Sequence, residues 1–212
     1  MEIDAVLWDY GGVFTPSPFD AAHAYARSQG VDPDALVRVV FGSYGADTEH
    51  AWHRLERGEL SFADALTEIG SEAEAAGMRF DIGEMFGAMA ADDIDRTVVL
   101  DYVRSLRAVG IRNAIVTNNI REYGDTWRRR LDVDTLFDAV IDSCVEGIRK
   151  PNPAIYFTAL ERVGVTETSR AVFLDDFEPN VVAARSLGLH GIVVGSDPRV
   201  ALAELDALLA GA

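Results

Sequence analysis

The clearest evidence for the fold lies in residues 171–195, AVFLDDFEPNVVAARSLGLHGIVVG. This stretch opens with the apolar run AVFLDD (171–176), passes through a helical pattern that stops at Gly188, and closes with the apolar run HGIVVG (190–195). Apolar runs this short are typical of parallel strands that helices cover on both faces, because burial on both sides removes the usual alternation. A strand, a helix and a second strand in this order predict a βαβ unit.

The same alternation continues toward the N-terminus. Helical patterns separate the apolar runs, and several of them stop at a glycine such as Gly110 or Gly164. The remaining apolar runs are IDAVLWD (3–9), NAIVTNN (113–119) and AVIDS (139–143), and the helical patterns are 98–110, 122–131, 153–164 and 178–188. This order predicts an α/β fold built on a doubly wound parallel sheet.

One interval, residues 16–97, interrupts the alternation. Its patterns are nearly all helical, up to DIGEMFGAMAA (81–91), whereas a single crossover helix needs only about a dozen residues. The excess predicts a helical subdomain inserted between the first two strands. We place this subdomain at 17–95 and the α/β core at 1–16 and 96–212.

Composition limits the possible partners. The chain has 212 residues with 19 Lys+Arg against 35 Asp+Glu, a net charge of 19 − 35 = −16. Nucleic-acid and membrane-surface proteins need a basic face, so neither partner is expected. The N-terminus does not read as a signal peptide and no apolar run reaches about 18 residues, so a soluble, cytoplasmic protein is expected. Monomer and homodimer both stay open.

Polar residues follow the predicted strands, at the sheet edge where ligands of such folds bind. They are Asp9, Gly11 and Gly12 after the first strand, Thr117 and Asn118 after the second, Lys150 after the third, and Asp175 and Asp176 after the fourth. Carboxylate oxygens suit Mg²⁺, and lysine, hydroxyl and amide donors suit phosphoryl oxygens. The sequence therefore predicts a site for a phosphate and a divalent metal.

The motifs resemble those of the haloacid dehalogenase-like hydrolases. They are WDYGGVFT (8–15), IVTNN (115–119), GIRKPNPAIY (147–156) and VFLDDFEPNVVAAR (172–185), and they occur in the family's order. The helical insertion, with AWHRLERGELSFADAL (51–66), is similar to the cap of the superfamily's first class. The resemblance implies a Rossmann-like core, a helical cap and hydrolase activity.

The resemblance also implies roles for individual residues. Asp9 would be the nucleophile that forms an aspartyl-phosphate. Thr117, Asn118 and Lys150 would bind the phosphoryl group, and Gly12 would allow a tight turn around it. Lys150 would also keep Asp9 ionised. The implied substrate is a small phosphorylated metabolite such as a sugar phosphate.

The same resemblance implies a Mg²⁺ site. Asp9, Asp176 and the backbone carbonyl of Gly11 would be its ligands, and Asp175 would complete or orient them. Clustered carboxylates repel one another and raise each other's pKa, so a cation and a lysine are physically required in such a cluster.

The chain departs from the family pattern at Gly11, where phosphatases of this superfamily usually carry a second Asp as general acid. Loss of a general acid typically costs about 10²–10⁴-fold in rate unless another group replaces it. A cap residue or the substrate is the expected replacement, and His23, His50 and His53 are the candidates in the cap.

Two alternatives stay open. Haloacid dehalogenases also lack the second Asp and share a KPxPxxY-like motif, but they usually lack the acidic pair that this chain keeps as Asp175 and Asp176. The third possibility is a binding protein that holds a phosphorylated ligand without turning it over.

Overall fold

The computed structural model describes residues 2–81, 83–85, 87 and 97–211. Its centre is a parallel sheet of five strands in the order β3-β2-β1-β4-β5. The strands are β1 (Ala5–Trp8), β2 (Arg112–Thr117), β3 (Ala139–Asp142), β4 (Ala171–Asp175) and β5 (His190–Val193). Four of them lie within a predicted apolar run, and β2 begins at Arg112, one residue before its predicted run 113–119. The predicted strands and the α/β class are confirmed.

The strand order creates a crevice beside β1. Trp8 at the end of β1 pairs with Ile115 of β2 on one side and with Leu174 of β4 on the other. The chain runs from β1 outward to β2 and β3, then crosses back to β4 and runs outward to β5. The loops after β1 and β4 therefore diverge, which is the position where doubly wound sheets bind ligands.

Four helices of the described residues lie within 17–81, in the interval where the sequence predicts a helical insertion. They are α1 (Pro18–Gln29), α2 (Pro33–Phe41), α3 (Ala51–Glu56) and α4 (Phe62–Ala75). Proline occupies the first turn of α1 and α2, where no amide hydrogen bond is lost. The side chain of Asp32 caps α2 and that of Ser61 caps α4.

These cap helices pack around an apolar cluster of their own, which includes Leu36, Phe41, Leu55 and Ile69. The cluster is separate from the two that cover the sheet. Most of the predicted helical pattern 81–91 lies outside the described residues, and so does the predicted boundary at 95. The subdomain limits 17–95 stay a prediction.

The remaining helices cover both faces of the sheet. They are α5 (Thr97–Ala108), α6 (Thr126–Arg130), α7 (Val133–Leu136), α8 (Ser143–Glu146), α9 (Pro153–Arg162), α10 (Glu178–Ser186) and α11 (Pro198–Ala210). Val6 and Trp8 of β1 pack with α5 and α11, whereas Ala5 and Leu7 pack with α9 and α10. Alternate residues of the central strand are thus buried on opposite faces.

One helix prediction is wrong in part. The pattern 122–131 is a 3₁₀ turn at Arg121–Tyr123 followed by the short helix α6, because Gly124 has a φ of 50° and interrupts the helix. Among the helices of the described ranges, none is long and apolar enough to cross a membrane.

Candidate active site

Three predicted acids meet in the crevice. Asp9 directly follows β1, Asp175 ends β4 and Asp176 comes next in the chain. One carboxylate oxygen from each lies within 4.8 Å of the others. Asp9 and Asp175 are buried, and the backbone amide of Asp9 donates to the Leu174 carbonyl at 2.8 Å. The central strands thus fix the acids by their register.

Lys150 lies among these acids. Its Nζ is 2.6 Å from Asp9 Oδ1 and 2.8 Å from Asp175 Oδ2, and the side chain is buried. Lys150 is also the only lysine in the sequence, since every other basic residue among the 19 Lys+Arg is an arginine. Three carboxylates against one ammonium leave a charge of −2 when all four groups are ionised.

Burial and this excess of negative charge raise the pKa of Asp9 and of Asp176. Burial raises the pKa of Asp9 well above its ordinary value, and Asp175 raises it further, while Lys150 opposes both. Burial and Asp175 together raise the pKa of Asp176 to about 7. A divalent cation would remove the repulsion that disfavours ionisation. Oxygen donors at this spacing with excess negative charge fit Mg²⁺.

Asp175 is held in place by several donors. Its Oδ2 accepts from Lys150 and from Nδ2 of Asn180 at 3.0 Å, while its Oδ1 accepts from the backbone amide of Phe177 at 2.7 Å. With both oxygens engaged, Asp175 is suited to orienting Lys150. Through its bond to Asp175, Asn180 orients the acidic loop, and it also lines the pocket.

Asn118 positions the backbone of Lys150. Its Oδ1 accepts from the Lys150 amide at 2.8 Å, and its Nδ2 donates to the Lys150 carbonyl at 3.1 Å and to the Tyr44 hydroxyl at 3.3 Å. Asn118 also lines the pocket, whereas Thr117 is buried beside it and is not among the lining residues. The structure therefore places Asn118 and Lys150 at the pocket, with Thr117 behind them.

The two glycines after β1 differ. Gly12 has a φ of 72°, and a Cβ there would lie 2.0 Å from Cγ of Asp176, so a side chain would displace that acid. At Gly11 the nearest atom to a Cβ would be Cδ of Pro18 at 3.7 Å, an ordinary contact. The space at Gly11 therefore accepts a Cβ.

The acids open into a small pocket of about 40 Å³. Its floor is polar and consists of Asp9, Gly11, Asn118, Lys150, Asp176 and Asn180. Its other walls are Pro18, Phe19, Tyr44 and Phe177, which we call the aromatic roof. Sequence reasoning missed the roof. Its only available signal was the position of Phe177 directly after the acidic pair.

Arg149 was also missed. It is fully buried, and its Nε donates to Glu56 Oε2 at 2.7 Å, which joins α3 to the loop before Lys150. The other oxygen of Glu56 accepts from the Tyr44 hydroxyl at 2.6 Å and from Nε1 of Trp52 at 2.8 Å. We call these four residues the Glu56 network.

The histidine candidates for proton donation lie elsewhere. His53 is buried, with Nδ1 accepting from the Thr48 amide and Nε2 donating to the Phe41 carbonyl. Burial, followed by Arg149, lowers its pKa to about 3, so it is neutral. His50 caps α3, and His23 lies 3.6 Å from a carboxylate oxygen of Asp34. None of the three histidines lines the pocket.

Residues 3–188 match the haloacid dehalogenase-like hydrolase family. The doubly wound sheet, with acids and a lysine gathered at its central strand ends, agrees with that match. The chain therefore belongs to the haloacid dehalogenase-like hydrolases.

Relatives at higher identity are longer proteins. The chain is 33% identical to acyl-CoA dehydrogenase family member 10 of Mus musculus, over 97% of this chain and 19% of that protein. It is 32% identical to bifunctional epoxide hydrolase 2 of Mus musculus, over 97% of this chain and 39% of that protein. The chain thus spans at most about two fifths of these relatives. A phosphorylated carbohydrates phosphatase of Thermotoga maritima is 28% identical, over 97% of this chain and 93% of that protein.

Solved structures share the fold. A dehalogenase superposes with a TM-score of 0.65 at 20% identity, over 98% of this chain and 97% of its own. A family enzyme from Bacteroides thetaiotaomicron, in complex with magnesium and inorganic phosphate, superposes with a TM-score of 0.63 at 20% identity, over 92% and 95%. At this identity the likeness extends to the fold alone.

Proposed function

We propose that the protein is a Mg²⁺-dependent phosphatase that acts on a small phosphorylated metabolite. The observation that carries this proposal is the group of three carboxylates, two of them buried, around one lysine at the crevice beside β1. Such a group lacks positive charge, which a divalent cation would supply. The cation and Lys150 would then together attract the negative phosphoryl group of a substrate. The phosphatase from Thermotoga maritima and the magnesium and phosphate complex of the Bacteroides enzyme support the same reading.

Asp9 is the nucleophile in this proposal. Its carboxylate oxygen attacks phosphorus, a bond between that oxygen and phosphorus forms, and the bond from phosphorus to the ester oxygen breaks. Water then hydrolyses the aspartyl-phosphate, which returns Asp9 and releases inorganic phosphate. The contact between Lys150 and Asp9 at 2.6 Å favours the ionised carboxylate that this attack requires.

Lys150 and the residues around it stabilise the negative charge of the phosphoryl group. Asn118 holds the Lys150 backbone, and Asp175 holds its ammonium group. Asp9, Asp176 and the Gly11 carbonyl would bind Mg²⁺, with Asp175 orienting the set. When bound, the ion supplies positive charge against the phosphoryl oxygens. Thr117 and the backbone turn at Gly12 complete the proposed phosphate site.

Residues 17–95 act as a cap over this site. Phe19 and Tyr44 of the insertion line the same pocket as Asp9 and Lys150, which supports the assignment. A closed cap excludes bulk water and large substrates, so phosphoproteins and nucleic acids are disfavoured. We propose that this metabolite phosphatase is located in the cytoplasm.

The proton for the leaving oxygen comes from the substrate or from water. Gly11 offers no side chain, and the three cap histidines do not line the pocket. The variant Gly11→Asp tests this, because a Cβ at that position makes only ordinary contacts. We expect it to raise kcat by about 10-fold or more for alkyl esters, whose leaving group needs a proton. It should have little effect on nitrophenyl phosphate, whose leaving group does not.

Carbon–halogen hydrolysis is the second candidate. Gly11 in place of an acid favours it, because attack on carbon needs no general acid for the leaving halide. The acidic pair of Asp175 and Asp176 opposes it, since a metal beside the nucleophile does not assist that reaction. Halide release from 2-haloacids without Mg²⁺ would identify this activity.

The deciding experiment is phosphate release from a panel of small phosphate esters, with and without Mg²⁺, for the natural protein and for Asp9→Asn. The proposal predicts release that needs both Mg²⁺ and Asp9. Release that survives either loss contradicts it. Binding of the esters with no release identifies a ligand-binding protein instead.

A further inference from the structure

The pocket divides into two halves of different chemistry. The floor carries the carboxylates, Lys150 and two amides, whereas the aromatic roof carries three rings and a proline. The ring centroids of Phe19 and Tyr44 are 4.8 Å apart, those of Phe19 and Phe177 are 4.9 Å apart, and those of Tyr44 and Phe177 are 5.3 Å apart. A phosphate ester with its phosphoryl group on the floor would place its leaving group against these rings.

The one hydroxyl among the four roof side chains is already engaged. The Tyr44 oxygen donates to Glu56 at 2.6 Å and accepts from Asn118 at 3.3 Å. Phe19, Phe177 and Pro18 have no polar side-chain atom. A polyol buried against the roof would therefore leave several of its hydroxyls without side-chain partners, and unpaired buried hydroxyls weaken binding.

The small volume of the pocket strengthens the preference for apolar over polyol leaving groups. A pocket of about 40 Å³ holds little more than a few water molecules, so a leaving group has to separate the rings. Phe19 lies on α1 of the insertion and Phe177 follows β4 of the core, so a leaving group can enter between them. The lost ring contacts are regained only if the entering group is itself apolar.

We propose that the substrate is a phosphate monoester of an apolar alcohol, and that Phe19 and Phe177 select it. This inference rests on the proposed phosphatase function and narrows its substrate class. It replaces the sugar phosphates that the motifs alone suggest.

A matched pair of substrates tests the inference. Cyclohexylmethyl phosphate and glucose 6-phosphate both carry the phosphate on a CH₂ attached to a six-membered ring, and they differ mainly in ring hydroxyls. We expect kcat/KM to be at least about 10-fold higher for cyclohexylmethyl phosphate. Equal values, or a preference for glucose 6-phosphate, would overturn the inference.

Variants of the roof give an independent readout. Phe19→Ala and Phe177→Ala should each raise KM for cyclohexylmethyl phosphate by about 10-fold, with inhibition by inorganic phosphate changed less than about 2-fold. Phe19→Leu keeps the apolar bulk and should retain the preference. Phe157→Ala is the matched control, because that ring is 49% exposed on α9 and does not line the pocket. Equal losses for both esters would assign the rings to packing alone.

Acetyl phosphate separates the two proposals. It is small, and its leaving group needs neither the roof nor a proton donor. Hydrolysis of acetyl phosphate that depends on Mg²⁺ and Asp9, with neither ring ester hydrolysed, overturns the substrate class and keeps the phosphatase. No hydrolysis of any of the three removes the phosphatase and the inference together.

Discussion

Arg149 and Lys150 are adjacent in the chain, and both are buried, at 0% and 1% exposure, yet their surroundings differ. Arg149 donates to one buried acid, Glu56, and to the backbone carbonyl of Ala46. Lys150 contacts Asp9 and Asp175 within a cluster that also contains Asp176. Arg149 is thus balanced by a close carboxylate partner, whereas Lys150 faces three carboxylates.

The difference separates a structural charge from a functional one. The Glu56 network is neutral overall and ties the insertion to the core, so it needs no ligand. The Lys150 cluster carries excess negative charge that folding alone does not satisfy, which is why we propose that it holds a cation. Burial is common to both clusters. The balance of charge, rather than burial, indicates function here.

Removing an acid from the Lys150 cluster should abolish activity without loss of stability. For Asp9→Asn we expect kcat to fall by about 10⁴-fold or more, because the nucleophile is gone. The pKa of Asp9 is raised by burial and by Asp175, so folding favours its neutral form, and a neutral Asn should leave the metal-free protein equally or more stable. Kinetic assays measure the loss of activity, and urea unfolding at pH 7 without metal measures the stability. Clear destabilisation would contradict the comparison.

Removing the acid from the Glu56 network should have the opposite effect on stability. Glu56→Gln keeps the size of the side chain but removes the nearer counter-charge of buried Arg149 and leaves only the Asp47 carboxylate at 3.9 Å. This should lower the free energy of unfolding by about 3–5 kcal/mol. Urea unfolding measures the loss. The double variant Glu56→Gln with Arg149→Met removes both charges and should recover part of it. A loss below about 1 kcal/mol would show that the pair is not structural.

Metal should stabilise only the cluster that lacks positive charge. At 100 times its Kd, Mg²⁺ should raise the free energy of unfolding by about 2.7 kcal/mol. Asp176→Asn should remove most of this gain, whereas Asp101→Asn, an exposed acid on α5, should keep it. Thermal unfolding with Mg²⁺ and with a chelator provides the measurement. A gain that survives in Asp176→Asn would place the metal elsewhere.

The smallest effect concerns His53, which packs on the Arg149 side. Its pKa falls from 6.5 to about 3 on folding, because of burial and then because of Arg149. Between pH 6.5 and pH 3, His53 is therefore protonated in the unfolded chain and neutral in the folded one. The stability from neutral His53 is complete above pH 6.5 and falls as the pH drops toward 3. At pH 5 the loss is about 2 kcal/mol. Urea unfolding of His53→Gln should show a shallower pH dependence than that of the natural protein.

The sequence was sufficient for the sheet and the acids. Buried parallel strands leave uninterrupted apolar runs, and residues that directly follow such strands must meet at one edge, which brings Asp9, Asp175 and Asp176 together. Lys150 lies just before Pro151 in a motif that the family resemblance identifies. These features depend on local pattern and topology, both of which can be read from the chain.

The roof and the Glu56 network could not be predicted in this way. Glu56 and Arg149 are 93 residues apart, and their contact depends on how the insertion docks on the core. Phe19, Tyr44 and Phe177 come from three separate segments for the same reason. The histidines show the reverse error, because a place in the insertion did not reveal how their side chains are used. His53 is buried, His50 caps α3 and His23 lies beside Asp34.

The most direct test of the account locates the covalent intermediate. The protein is mixed with Mg²⁺ and cyclohexylmethyl phosphate or acetyl phosphate, quenched, and treated with borohydride, which reduces an aspartyl-phosphate to homoserine. Trypsin then cleaves after Arg27, the first Lys or Arg after position 9, so Asp9 lies in the peptide that ends at Arg27. Mass spectrometry should find homoserine at position 9, and only when substrate and Mg²⁺ were both present. Phosphate release without homoserine at position 9, or with homoserine at another Asp, would contradict the central claim.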